Sequence, residues 1–191
     1  DPALDGDGYL LAMLFDTSSG DAGFVAYDVS VPSAPDLIYS QPFDGAKSLA
    51  TRVGEVWIGH STGSVHAFDT AGLADLVPTV LELTDPGDDD CGDVAWGLTI
   101  VGDLLYAGCD DNASLAIFDI TDPAEPDLRS TTIAPGQAQS VILLGDLAFV
   151  AAYNAGLHEI DVTDADNPVY LGTHPMSADG DAMSAGVDAV F

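Results

Sequence analysis

Four carboxylates recur at repeat-length intervals. Asp28, Asp69, Asp119 and Asp161 each follow an apolar residue, namely Tyr27, Phe68, Phe118 and Ile160. A ring of carboxylates could bind a cation or share a proton, but a unique active site does not recur once per repeat. An Asp at a strand end, just ahead of a turn, accepts backbone N–H bonds in an Asx turn. These four are therefore read as structural turn residues.

The unrepeated acids point elsewhere. Asp88, Asp89, Asp90 and Asp93 flank Cys91, while Asp110, Asp111 and Asn112 follow Cys109. Two unit charges about 4 Å apart repel by ~1 kcal/mol in water and by about 4 at the effective dielectric of a protein surface. Such acids either splay into solvent or gather around a divalent cation. Ca²⁺, which takes roughly six to eight oxygen ligands, suits them best. The spacing matches no standard calcium loop, so a solvated acidic loop is the leading reading. Ca²⁺ on Asp88, Asp89, Asp90, Asp93, Asp110 and Asp111 is the alternative and the one cofactor considered. L-D-G-D-G at 4–8 and Asp179-Gly180-Asp181 lack the downstream Glu of a calcium loop.

The histidines, His60, His66, His158 and His174, show no H-E-x-x-H spacing and read as isolated strand or loop residues. There is no G-x-S-x-G elbow for a serine hydrolase and no Walker loop. No residue is assigned a catalytic or cofactor-binding role.

The elements that carry these residues repeat. The Asp positions are 41, 50 and 42 residues apart, the long interval holding the acidic insertion D-P-G-D-D-D-C-G-D at 85–93. A period near 42 is that of a four-stranded propeller blade. Each unit opens with an apolar stretch (Ser48 to Val53, Val94 to Val101, Ser140 to Leu144) that meets a glycine turn (Val53-Gly54-Glu55, Val101-Gly102-Asp103, Leu144-Gly145-Asp146). Second strands follow at 56–60, 104–109 and 147–153, third strands at 64–69, 114–119 and 156–161, and outer strands at Asp127 to Thr132 and Val169 to His174. No stretch sustains a 3.6-residue period, so helix is expected to be negligible. Trp57, Trp96, Tyr106 and Phe149 fall on inner strands, where packing between blades is the expected role.

The fold expected is all-β: a single propeller domain or propeller fragment over 1–191, with blades near 9–43, 46–84, 94–133 and 138–174. Y-L-L-A-M-L-F at 9–15 reads as a second strand with no first strand ahead of it, and 184–191 as a first strand with no second. Either 184–191 completes the blade at 9–43 in a closed four-blade ring, or the chain is an arc of a ring of six to eight blades; the arc is favoured. A chain starting Asp1-Pro2 is expected to be processed or part of a longer product.

Composition excludes several classes. The chain holds 32 acidic residues (28 Asp, 4 Glu) against Lys47, Arg52 and Arg129, a formal net charge of −29. Nucleic acid and anionic membrane surfaces demand the cations it lacks. No apolar run is long enough to span a bilayer, and no signal peptide is expected within it. At 47% hydrophobic it builds a core and leaves its acids outside. Such a surface suits a high-salt or marine source, because counterions screen its self-repulsion.

S-L-A-I-F-D-I-T-D-P-A-E-P (114–126), G-L-H-E-I-D-V-T-D-A-D-N-P (156–168) and Y-D-V-S-V-P-S-A-P (27–35) resemble LVIVD repeats. F-D-T-A-G-L-A-D (68–75) keeps the Asp but lacks the prolines, so that unit is degenerate. The resemblance implies a β-propeller of secreted or surface-anchored bacterial and archaeal proteins, and brings no catalytic residues. The function expected is a non-enzymatic extracellular binding or structural module, its partner another protein, a surface polymer or further copies in an assembly. The alternative is a metal-dependent hydrolase or lactonase-type propeller with its site in the central channel. An extracellular setting favours a Cys91–Cys109 disulfide. The turn at Gly102-Asp103 places Cys109 opposite Trp96, so the insertion must fold back for Cys91 to reach it.

Overall fold

The computed structural model describes residues 2–4, 9–15, 22–61, 63–69, 79–82, 95–109 and 115–175. They form four sheets, each a four-stranded antiparallel meander in chain order. Sheet 1 holds β1 (Pro2–Leu4), β2 (Tyr9–Phe15), β3 (Ala22–Asp28) and β4 (Asp36–Pro42). Sheet 2 holds β5 (Ala46–Arg52), β6 (Glu55–His60), β7 (Ser64–Asp69) and β8 (Thr79–Glu82). Sheet 3 holds β9 (Ala95–Val101), β10 (Leu104–Cys109), β11 (Leu115–Asp119) and β12 (Asp127–Thr132). Sheet 4 holds β13 (Ala138–Leu144), β14 (Leu147–Ala152), β15 (Gly156–Asp161) and β16 (Val169–His174). Among the described residues the one helical piece is a 3₁₀ turn at Tyr153–Ala155.

Glycine sets the hairpins. Gly102 and Gly145 are the first central residues of two-residue turns, with φ of +62° and +61°. An added Cβ would meet nothing within 4 Å at either, so backbone conformation alone demands glycine there. Positive φ at the first central position alone, without it at Asp103 or Asp146, is the type II′ hairpin, whose twist suits the flanking strands.

The first strands bring consecutive sheets together, β1 beside β5, β5 beside β9 and β9 beside β13. Each seam is then filled by apolar side chains from two facing sheets. Phe24 and Ala26 meet Leu49, Val56, Ile58 and Phe68 between sheets 1 and 2. Trp57 and Val65 meet Leu105, Ala116, Phe118 and Ile120 between sheets 2 and 3. Tyr106, Leu115 and Ile117 meet Val141, Val150 and Ile160 between sheets 3 and 4. Strands buried on both faces explain the nearly continuous apolar runs of β6, β10 and β11.

Two sequence expectations are corrected. The strand at 9–15 does have a first strand ahead of it: Pro2 pairs with Ala12 and Leu4 with Leu10, so β1 takes the place assigned to 184–191. Three residues were too short a signal to read as a strand. Residues 184–191 lie outside the described residues. Cys109 pairs with Ala95, not Trp96, because the register jumps between Gly108 and Cys109 and leaves Trp96 as the extra residue of a β-bulge.

Candidate functional site

The repeat carboxylates bind backbone. Asp28, Asp119 and Asp161 each accept, through Oδ1, the N–H two residues on: Ser30 at 2.8 Å, Thr121 at 2.9 Å and Thr163 at 2.9 Å. The hydroxyl of Thr121 or Thr163, then its N–H, holds the carboxyl of Asp119 or Asp161 below the usual Asp range. Ser30 does the same for Asp28. Asp122 and Asp164 repeat the bond one turn later, to Ala124 and Asp166. Asp69 ends β7, and the residues after it lie outside the described ones.

All three cations of the chain bridge neighbouring sheets. The Lys47 Nζ lies 5.0 Å from the centroid of the Trp96 ring. Arg52 grips Glu55 through Nε at 2.7 Å and Nη2 at 3.0 Å, then reaches sheet 3 at Asp103 (3.0 Å) and at the Ile120 carbonyl (2.6 Å). Trp57 Nε1 donates to the same Glu55 at 2.9 Å. Arg129 binds Asp166 of the sheet 4 turn bidentately, at 2.6 and 2.8 Å, and Asp119 of its own sheet at 3.0 Å. A planar fork of donors suits a carboxylate in this way.

Bulges recur at the start of three first strands. The register skips Lys47, Trp96 and Gln139 in turn. A bulge re-aims the side chain it carries, and here it sets Lys47 of sheet 2 against Trp96 of sheet 3. In chain order the acidic segments 85–93 and 110–112 precede β9 and follow β10. Asp88, Asp89, Asp90, Cys91, Asp93, Asp110 and Asp111 themselves lie outside the described residues. Cys109 is fully buried at the end of β10.

Sequence reasoning missed one cluster at that end. His60 and His66 lie 5.4 Å apart between ring centroids, and Phe43 stands edge-on to both. His60 Nε2 lies 2.7 Å from the Asp44 carbonyl, and His66 Nε2 lies 3.1 Å from Ser64 Oγ. The signal was the short β6–β7 hairpin, which folds the two positions together across the turn. His158, at the position of His66 in sheet 4, is fully buried between the Pro135 carbonyl (2.6 Å) and Thr173 Oγ1 (2.9 Å). Among the described residues, no three His, Cys, Asp or Glu side chains gather as a metal would need.

The opposite end of the seam between sheets 2 and 3 holds a cavity of about 390 Å³. The β5–β6 turn, the end of β7 and Pro123-Ala124 line it.

Four-stranded meanders stacked face to face with their first strands innermost are the blades of a β-propeller. The LVIVD repeat matches residues 92–132 and 135–174, the stretches that form sheets 3 and 4. A functionally unknown protein from Desulfotomaculum acetoxidans DSM 771 shares the fold, with a TM-score of 0.67 and 14% identity over 90% of this chain and 54% of that one. A protein from Lactobacillus plantarum gives 0.70 and 15% over 94% and 56%, and the computationally designed Ika8 protein 0.63 and 11% over 99% and 52%. The chain spans about half the length of these solved structures. No curated protein matches the sequence.

Proposed function

We propose that the chain is a non-enzymatic binding or structural module of an extracellular or cell-surface assembly, its partner a protein or surface polymer. One observation carries the reading. The residues that recur from blade to blade are spent on the scaffold: Asp28, Asp119 and Asp161 bind backbone N–H groups. What varies is the surface between them, and in a chain of net charge −29 that surface is polyanionic. A rigid polyanionic scaffold favours partners that carry cations, through steering and surface complementarity.

A Cys91–Cys109 bridge belongs to this proposal. In support, no cysteine is free among the described residues, and Cys91 is the chain's other cysteine. Alkylation of the unreduced native protein should label neither residue, and a labelled thiol overturns the bridge. The same protein, stripped by chelation and returned to millimolar Ca²⁺, reports any occupancy of the acidic segments as a rise in melting temperature.

The functional reading is tested with the intact chain against cell-envelope polymer of the producing organism and against ester, lactone and phosphoester substrates. Saturable, salt-sensitive binding without turnover is expected. Turnover that chelation abolishes would overturn it in favour of the hydrolase.

A further inference from the structure

The two seams that flank sheet 3 differ at their rims. Between sheets 3 and 4, Arg129 of β12 binds Asp119 at the end of β11 and Asp166 in the sheet 4 turn. Each of these positions has a counterpart between sheets 2 and 3. Asp69 ends β7 as Asp119 ends β11, each paired with the first residue of the preceding strand, Glu55 or Leu104. Ala124 corresponds to Asp166, since each donates its N–H to the Asp two residues before it. Ala67 corresponds to Ile117, and the outer-strand residues paired with them are Thr79 and Ser130. The residue before Ser130 is Arg129, whereas the residue before Thr79 is Pro78.

A proline thus stands for the arginine, one alanine for its second carboxylate and another for a buried isoleucine. The cavity of about 390 Å³ lies at this rim, large enough for a small ligand group. Val53, Ala67, Pro123 and Ala124 give it apolar walls, and its ionisable lining residues, Glu55 and Asp69, are both acids. Arg52 beside it is outnumbered by Glu55 and Asp103, which hold it. The chain has no further Lys or Arg to offer, because Lys47 lies on Trp96 and Arg129 serves the next seam. A turn role does not bar an Asp from a guanidinium. Asp119 accepts the Thr121 N–H through Oδ1 and Arg129 through Oδ2 at once.

We propose that this cavity takes an arginine side chain from a protein partner, which supplies in trans what Arg129 supplies to the neighbouring seam. Asp69 receives the guanidinium, while Val53, Ala67 and Pro123 pack the methylene stem behind it. The planar fork of a guanidinium matches a carboxylate as an ammonium does not, and arginine is a frequent anchor of protein interfaces. The site rests on the binding-module reading for the existence of a partner, and adds the chemistry by which that partner is held.

The test is an NMR titration of the intact isotope-labelled chain with acetyl-Ala-Arg-Ala-amide at physiological salt, where the screening length is about 8 Å. Saturable shifts of the Gly54, Ala67 and Ala124 amides are expected, with the matching lysine peptide binding more weakly. Ala124→Asp restores the carboxylate that Asp166 gives Arg129 and should tighten binding about 3-fold or more. Asp69→Asn should weaken it by about 10-fold. Ala67→Ile gives the cavity the residue of the other seam and should abolish binding, which keeps the test decisive if Asp69→Asn fails to fold. Shifts that never saturate, that spread over the acidic surface or that ignore these substitutions overturn the proposal, as does a lysine peptide that binds equally well. If the arginine peptide fails while cell-envelope polymer still binds, the cavity assignment falls and the module reading stands. If the polymer fails too, both fall.

Discussion

The seam between sheets 2 and 3 and the seam between sheets 3 and 4 solve one packing problem differently. The first is filled by bulk: Trp57 is fully buried, its indole N–H held by Glu55, which Arg52 in turn clamps. The second is filled by smaller aliphatic side chains around Tyr106, and its inner strands also come close at one point. A Cβ on Gly97 would lie 2.6 Å from the Ser140 Cα, so β9 and β13 approach as near as backbones allow. Two residues further along, Thr99 Oγ1 donates to the Val141 carbonyl at 2.5 Å. Each seam also carries one Arg, but at a different depth. Arg52 leaves the end of a first strand with 18% of its side chain exposed, and Arg129 leaves an outer strand with 33%. The repeat therefore specifies the blade, while residues outside the repeat pattern specify how two blades fit.

The contrast is broken most directly at Trp57. Trp57→Ala removes the filler of one seam and should cost about 3–5 kcal/mol, the range for deleting a large aromatic from a core. It also strips Glu55 of a donor. Urea unfolding followed by tryptophan fluorescence checks it, since Trp96 remains as the probe. A loss below about 1 kcal/mol would mean that the seam collapses around the gap.

Gly97→Val attacks the other seam by the opposite route, overfilling rather than emptying. Overpacking costs about 1–3 kcal/mol where side chains can yield, and here the obstacle is backbone, so the upper end is expected. Gly97→Ala should show most of that loss, because the first carbon already makes the clash. A neutral Gly97→Ala would show that β9 and β13 can separate without cost.

The smallest effects are electrostatic and belong to the rim. Hydrogen bonds from the Thr121 side chain and N–H, aided by Arg129, lower the Asp119 carboxyl below its ordinary value; Arg129 lowers that of Asp166. A carboxyl whose folded pKa is depressed contributes stability above its unfolded pKa, about 3.9, and loses it as pH falls through the folded value. Acidification toward that range first relieves the chain's self-repulsion. The melting temperature should thus rise on going from neutral pH toward about 4.5 and fall below about 3.5. Arg129→Gln should lower it slightly at neutral pH, with the difference from wild type vanishing in molar salt. A difference that survives high salt would show that Arg129 acts by packing.

The sequence by itself determined the blade. A 42-residue spacing, apolar runs of strand length and glycine turns are local signals, so third strands such as Ser64–Asp69 and Gly156–Asp161 begin and end where their turn residues say. The Asx role of Asp28, Asp119 and Asp161 was legible for the same reason: its partner is always two residues away. The tertiary structure decided what depends on residues far apart. The bulge at Trp96 shifted Cys109 by one position, and β1 is set by pairing, not by its three residues. His60 and His66 meet only because a hairpin folds one onto the other. The placing of Arg52 on the Ile120 carbonyl 68 residues away has no local signature at all. Turn chemistry acts through bonds to near neighbours and is written in order along the chain. Seam chemistry acts between faces, and which face a side chain meets is fixed only once the sheets have stacked.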